Sequence, residues 1–113
     1  MDEIKIGGRT FPFRFSLYAI EAYCELKGVT FYEFTQKASG IIAGNDIEAV
    51  IDILYSGLKG GAHRLNAEFK LTRKDVSDMI DDAGISSLPE IIRLFAESMT
   101  DKKKEGSKKT AAK

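Results

Sequence analysis

The chain has 113 residues, enough for one small domain with a single core and too few for a second. Hydrophobic residues make up 43%, aromatics 10% and charged residues 30%, which excludes low-hydrophobicity disorder for most of the length. Lysine plus arginine and aspartate plus glutamate both number 17, so the net charge is zero and no whole-molecule field draws in nucleic acid or an anionic membrane.

Cys24 is the only cysteine, so no intramolecular disulfide can form, and a structural zinc would have to be held by this thiol, His63 and carboxylates. The N-terminus is acidic and polar rather than basic then apolar. No apolar run approaches the ~20 residues that cross a bilayer. The expectation is a cytosolic protein with no membrane contact.

Residues 2–15, DEIKIGGRTFPFRF, alternate around Gly7-Gly8, a pair suited to the two positive φ angles of a type I′ turn. That predicts a β-hairpin in which Ile4 faces Phe11 and Ile6 faces Arg9, with Phe13 and Phe15 extending the same side and Pro12 on an unpaired edge. An isolated hairpin is marginal in water, so its apolar face needs a cover. Ser16 can cap a helix over 17–27, and Gly28 suits the left-handed residue that ends one. Glu21 and Glu25 mark the wet side of that helix. Leu17, Ile20, Tyr23, Cys24 and Leu26 cover an arc wide enough to touch both the hairpin and a central helix.

Thr30 and Glu33 form a T-x-x-E capping box opening a short helix with Phe31, Tyr32 and Phe34, fading near Ser39-Gly40. A loop, GIIAGN at 40–45, follows, with Ile41 and Ile42 dipping into the core. From Asp46 to Leu65 the apolar residues recur at helical spacing. Ile47, Val50, Ile51, Leu54, Leu58 and Leu65 form one stripe, and Glu48, Asp52, Ser56, Lys59, His63 and Asn66 gather opposite. Gly60 and Gly61 cost roughly 1 kcal/mol each inside a helix, so the reading is one helix weakened there, with a break as the alternative. Thr72 and Asp75 form a second box, stapled by Leu71 and Val76, opening a helix that Gly84 ends. Ser87 and Glu90 repeat the pattern ahead of a last amphipathic helix over 88–99. The fold class is therefore mainly α (α+β): a small N-terminal hairpin packed on about five helices. Residues 1–100 form one globular domain, and 101–113, DKKKEGSKKTAAK, form a flexible, disordered basic tail.

No catalytic, metal or cofactor-binding set is predicted. His63 reads as a solvated surface histidine without a nucleophile or orienting partner. Cys24 reads as a small packed hydrophobe. Asp75, Asp78, Asp81 and Asp82 lack the ligand alternation and central glycine of an EF-hand and read as a solvated face. The lysine-rich tail has no aromatics to stack on bases, so it adds at most salt-sensitive, sequence-independent attraction to polyanions. One feature stands apart. Ile53, Gly57, Gly60 and Gly61 leave a bare, shallow flank on the central helix where another backbone could approach, whether from this chain, a partner or a second copy. The cluster Phe31, Tyr32 and Phe34 is a second candidate contact surface. On the glycine flank, Gly57→Leu is expected to disturb a partner and leave the fold intact.

The hairpin followed by FRFSLYAIE at 13–21, ILYSGLKGGA at 53–62 and LTRKDVSDMIDD at 71–82 resembles the tail assembly chaperones of long-tailed bacteriophages and related prophages. The resemblance covers residues ~3 to 83, judged by pattern and element order. It implies a small, mainly helical, non-enzymatic protein of the host bacterial cytoplasm. Such a protein binds the tape measure protein and tail tube subunits during assembly and is absent from the mature virion. The family has no established binding residues to carry over. The rival reading is a small prophage-encoded nucleic-acid-binding regulator using the basic tail and one helix. Zero net charge and the acidic helix at 73–82 count against it.

Overall fold

The computed structural model describes the backbone of residues 2–108 and the side chains of residues 2–99. Its elements are β1 (Asp2–Ile6), β2 (Arg9–Phe13), α1 (Leu17–Lys27), α2 (Phe31–Ile42), α3 (Ile47–Arg64), α4 (Arg73–Ala83), a 3-10 turn (Ile85–Ser87) and α5 (Leu88–Lys108). The architecture is the one the pattern predicts, a two-stranded antiparallel hairpin on five helices. Gly7 and Gly8 take φ angles of 59° and 83°, as a type I′ turn requires, and the register pairs Ile4 with Phe11 and Ile6 with Arg9. Ile4, Ile6, Phe13 and Phe15 are buried, and Phe15 meets Phe95 of α5 edge-on at 5.0 Å.

The two capping boxes form as spelled. Thr30 and Glu33 exchange hydrogen bonds at the start of α2, as do Thr72 and Asp75 at the start of α4. Four local expectations are corrected. Helix α2 continues through Ile42 instead of fading at Gly40, because Ile41 lies two turns beyond Phe34 and both are buried on the same face, so packing carries the helix past the glycine. Ile42 stays at the surface. The Ser87–Glu90 box does not form: Gly84, at φ 94°, leads into the 3-10 turn, where the Ser87 hydroxyl donates back to the Gly84 carbonyl at 2.9 Å. Glu90 instead accepts from Arg93. The last helix also runs on to Lys108. The side chains from Thr100 onward and all of 109–113 lie outside the described residues, and the expected basic tail falls on that stretch.

Helix α3 is the axis of the molecule and passes Gly60-Gly61 without a break. Its middle is buried on every side but one, the half-buried line of Ile51, Tyr55 and Lys59, so the simple two-sided pattern fails there. Asp52 and Ser56, assigned to the wet face, are buried, while Ile47 and Leu65, assigned to the core stripe, are more than half exposed. The reason is placement: α1, α4, α5 and β2 surround the central turns, and the two isoleucine and leucine positions sit at the helix ends. Asp52, 1% exposed, survives burial because Lys27 of α1 and Arg73 of α4 close on its two oxygens at 2.8 and 2.6 Å. The Ser56 hydroxyl, one turn on, is buried without a hydrogen-bond partner among the described residues.

Burial of Asp52 between two cations sets a contrast with Glu48, one turn earlier and exposed. Asp52→Ala strands two cations and should cost about 3 kcal/mol, whereas Glu48→Ala should stay within about 0.5 kcal/mol; chemical denaturation of both variants checks this. The Lys27 ammonium is held above the ordinary lysine range, first by its hydrogen bond to Asp52, with burial working against it. A proton held more tightly in the fold stabilises below the lysine range and ceases to do so as pH rises through it. Stability should therefore fall more steeply above roughly pH 10.4 in the native protein than in Lys27→Met.

Candidate functional site

The glycine flank is filled from within. Residues 12–14 of the hairpin lie across it, and the Arg14 amide donates to the Gly57 carbonyl at 3.0 Å. A Cβ on Gly57 would run into the Phe13 ring, on Gly60 into the Arg14 carbonyl oxygen, and on Gly61 into the Pro12 carbonyl and to within 2.9 Å of the Phe13 nitrogen. Ile53, Gly57, Gly60 and Gly61 are all buried, so none of them offers a surface to a partner. Gly57→Leu is an overpacking change in the core, not a probe of the surface. The flank was legible as a place for close backbone approach; its occupant is β2.

The aromatic cluster divides. Phe34 is buried among Tyr23, Phe15 and Phe95, with ring centroids 5.3, 6.0 and 6.2 Å away. Phe31 and Tyr32 are 58% and 69% exposed. The capping box explains the split, since it fixes the first turn of α2 in a rigid orientation that sends Phe34 inward and holds Phe31 at the rim, 6.2 Å from Phe34.

Phe31 lines a cleft of about 400 Å³ together with Leu17, Ile20 and Cys24 of α1, with Glu21 and Glu25 also in its lining. Ile20 is its buried floor, and Leu17, 71% exposed, is its outer wall. The broad apolar arc of α1 is the sequence signal for this cleft. One side of that arc, Ala19, Ile20, Ala22 and Tyr23, is buried, and Leu17 with Leu26 is left outside. Burial, then the Glu33 charge, pushes the Cys24 thiol up, which favours its protonated form at neutral pH.

A second, more polar cavity of about 480 Å³ lies between α1, α2 and the start of α3, with Tyr23, Lys27, Lys37 and Asp46 in its wall. Lys27 is already committed to Asp52, and burial first, then the Asp52 charge, pushes the Tyr23 phenol up. Neither group is activated for proton transfer near neutral pH. His63 is exposed and lies flat on Tyr18, ring centroids 3.8 Å apart. Asp75 is used in its cap and Asp78 pairs with Lys74 at 2.9 Å. Among the described residues no group of three or more histidine, cysteine or carboxylate side chains could hold a metal ion. Among the same residues no helix is long and apolar enough to cross a membrane.

No protein-family model, no curated protein and no solved structure matches this chain. What the α1–α2 cleft offers is read from its own chemistry: an apolar, helix-lined surface with the carboxylates of Glu21 and Glu25 at its edge. Because Leu17 is solvated already, Leu17→Ser should change stability by no more than about 0.5 kcal/mol, while Phe34→Ala should cost about 3–5 kcal/mol. Thermal melts of the two variants separate the surface from the core.

Proposed function

We propose that this chain is a tail assembly chaperone of a long-tailed bacteriophage or prophage, acting in the host bacterial cytoplasm on the tape measure protein and the tail tube subunits and absent from the mature virion. The reading starts from the resemblance of residues ~3 to 83, judged by element order. The observation that carries it is the apolar cleft of Leu17, Ile20 and Phe31, set between α1 and the capped start of α2. Clustered apolar exposure of this kind marks surfaces that meet other proteins.

A tape measure protein is a very long helical chain whose apolar stripes stay uncovered until the tube polymerises around it, which exposes it to aggregation. A chaperone for such a chain performs no reaction. It needs a shallow apolar surface that accepts many helical segments and releases them when tube subunits arrive, and the cleft has that character. The regulator reading is disfavoured by carboxylates at Asp75, Asp78, Asp81 and Asp82 on α4 and at Glu21 and Glu25 beside the cleft, all of which repel phosphate.

Co-expression with the tape measure protein encoded beside it should raise that protein's soluble fraction. Leu17→Ser combined with Phe31→Ser should remove most of the rescue while circular dichroism of the variant stays native. Unchanged solubility, together with a shift of duplex DNA at ~150 mM salt, where weak tail contacts are screened, would replace the chaperone reading with the regulator.

A further inference from the structure

The lining of the α1–α2 cleft also says what kind of segment it takes. Leu17, Ile20 and Cys24 stand at positions i, i+3 and i+7 of α1, a straight apolar stripe about 10 Å long at 1.5 Å rise per residue. Phe31, the first residue of α2, completes the apolar lining. The lining comes from two helices and from no strand, so the cleft presents no sheet edge for an extended segment to pair with. A second helix laid along α1 matches it.

Charge selects among helices. Glu21 and Glu25 flank the stripe one turn apart, and neither carboxylate has an ion-pair or hydrogen-bond partner among the described residues. The closest cation along α1, Lys27, is held on Asp52. A second copy of this chain docking the same face about a two-fold axis would bring four carboxylates together around an apolar seam, an arrangement that like-charge repulsion disfavours. An anionic lipid surface meets the same repulsion.

We propose that the cleft binds an amphipathic helix of another protein that carries two or three apolar residues at one-turn spacing and lysine or arginine on the flanks facing Glu21 and Glu25. This rests on the cleft being the contact surface of the proposed chaperone and adds which helical segments it prefers. Recognition by apolar anchors with a charged rim gives modest, salt-sensitive affinity and a choice of segment by charge pattern.

The test uses the full chain and three fluorescein-labelled helical peptides of about 18 residues, long enough to be helical. One has a leucine stripe flanked by lysines, one has the same stripe flanked by glutamates, and one keeps the lysines but replaces the stripe with alanine and serine. The lysine-flanked stripe should bind about tenfold more tightly than the glutamate-flanked one, the sum of two or three exposed ion pairs, and the difference should shrink as salt rises. Binding should slow alkylation of Cys24, the single thiol of the chain and part of the cleft wall. Glu21→Lys with Glu25→Lys, both at exposed positions, should reverse the preference. Equal binding of the two stripes, tight binding of the stripe-free peptide, or self-association of the protein that protects Cys24 would each overturn the inference. If the peptides behave as expected and the tape measure rescue fails, the chaperone reading falls and the charge-selective cleft stands. If the rescue succeeds with no charge preference, the reverse holds.

Discussion

The structure depends on backbone lying against backbone where β2 crosses α3. Side chains normally hold a strand and a helix apart; here Gly57, Gly60 and Gly61 remove them on one face of α3, and residues 12–14 settle against the helix closely enough for the Arg14 amide to reach the Gly57 carbonyl. A two-stranded hairpin is marginal in water because it lacks a third element to cover it. Helix α3 is that third element. Once the hairpin is seated, Ile4, Ile6, Phe13 and Phe15 are buried together, and Phe15 and Phe34 give α2 and α5 an aromatic surface to close on. The cost of three glycines in a helix, roughly 1 kcal/mol each relative to alanine, is the condition for that contact.

The opposite requirement is met one turn earlier. Asp52 is a charge in the middle of the same helix, tolerated because α1 and α4 each supply one cation to it. Removing water from three charges is expensive and their attraction returns only part of it, so the node adds little to stability. What it adds is registry: only one rotation of α3 presents a carboxylate to Lys27 and Arg73 together. The rotation that satisfies Asp52 also turns the glycines toward β2. With α1 fixed on α3 in this way, its remaining apolar residues, Leu17 and the edge of Ile20, are left facing away from the core beside Phe31. The cleft is thus a by-product of how α1 is anchored.

Features written in adjacent residues were readable from the sequence. Gly7-Gly8 dictates the turn and hence the hairpin register, and the two T-x-x-[DE] boxes mark the starts of α2 and α4. Features that depend on distant residues were not. Asp52 and Ser56 look like a wet face until Lys27 and Arg73 arrive from other helices, and Ile47 and Leu65 look like core until the helix ends prove to have no cover. The glycine flank was visible as a shape, but Pro12 and Phe13 of β2 and Arg14 just past it, more than forty positions upstream, fill it. Of the site residues read from sequence, Phe31 and Tyr32 remain at the surface, whereas Ile53, Gly57, Gly60, Gly61 and Phe34 belong to the core. Leu17 was hidden inside an arc too broad to divide by periodicity alone.

Paired glycine-to-alanine substitutions test the strand–helix contact most directly. Gly40 lies in α2 with open space where a Cβ would go, while Gly61 lies in α3 against the Pro12 carbonyl. Alanine is the better helix former at both positions, so propensity alone stabilises both variants by about 0.5–1 kcal/mol. If the β2–α3 contact holds the fold together, Gly40→Ala should raise the melting temperature by a few degrees and Gly61→Ala should lower it, by an overpacking cost of about 1–3 kcal/mol. A Gly61→Ala protein that melts as high as Gly40→Ala would show that the hairpin does not rest on those glycines.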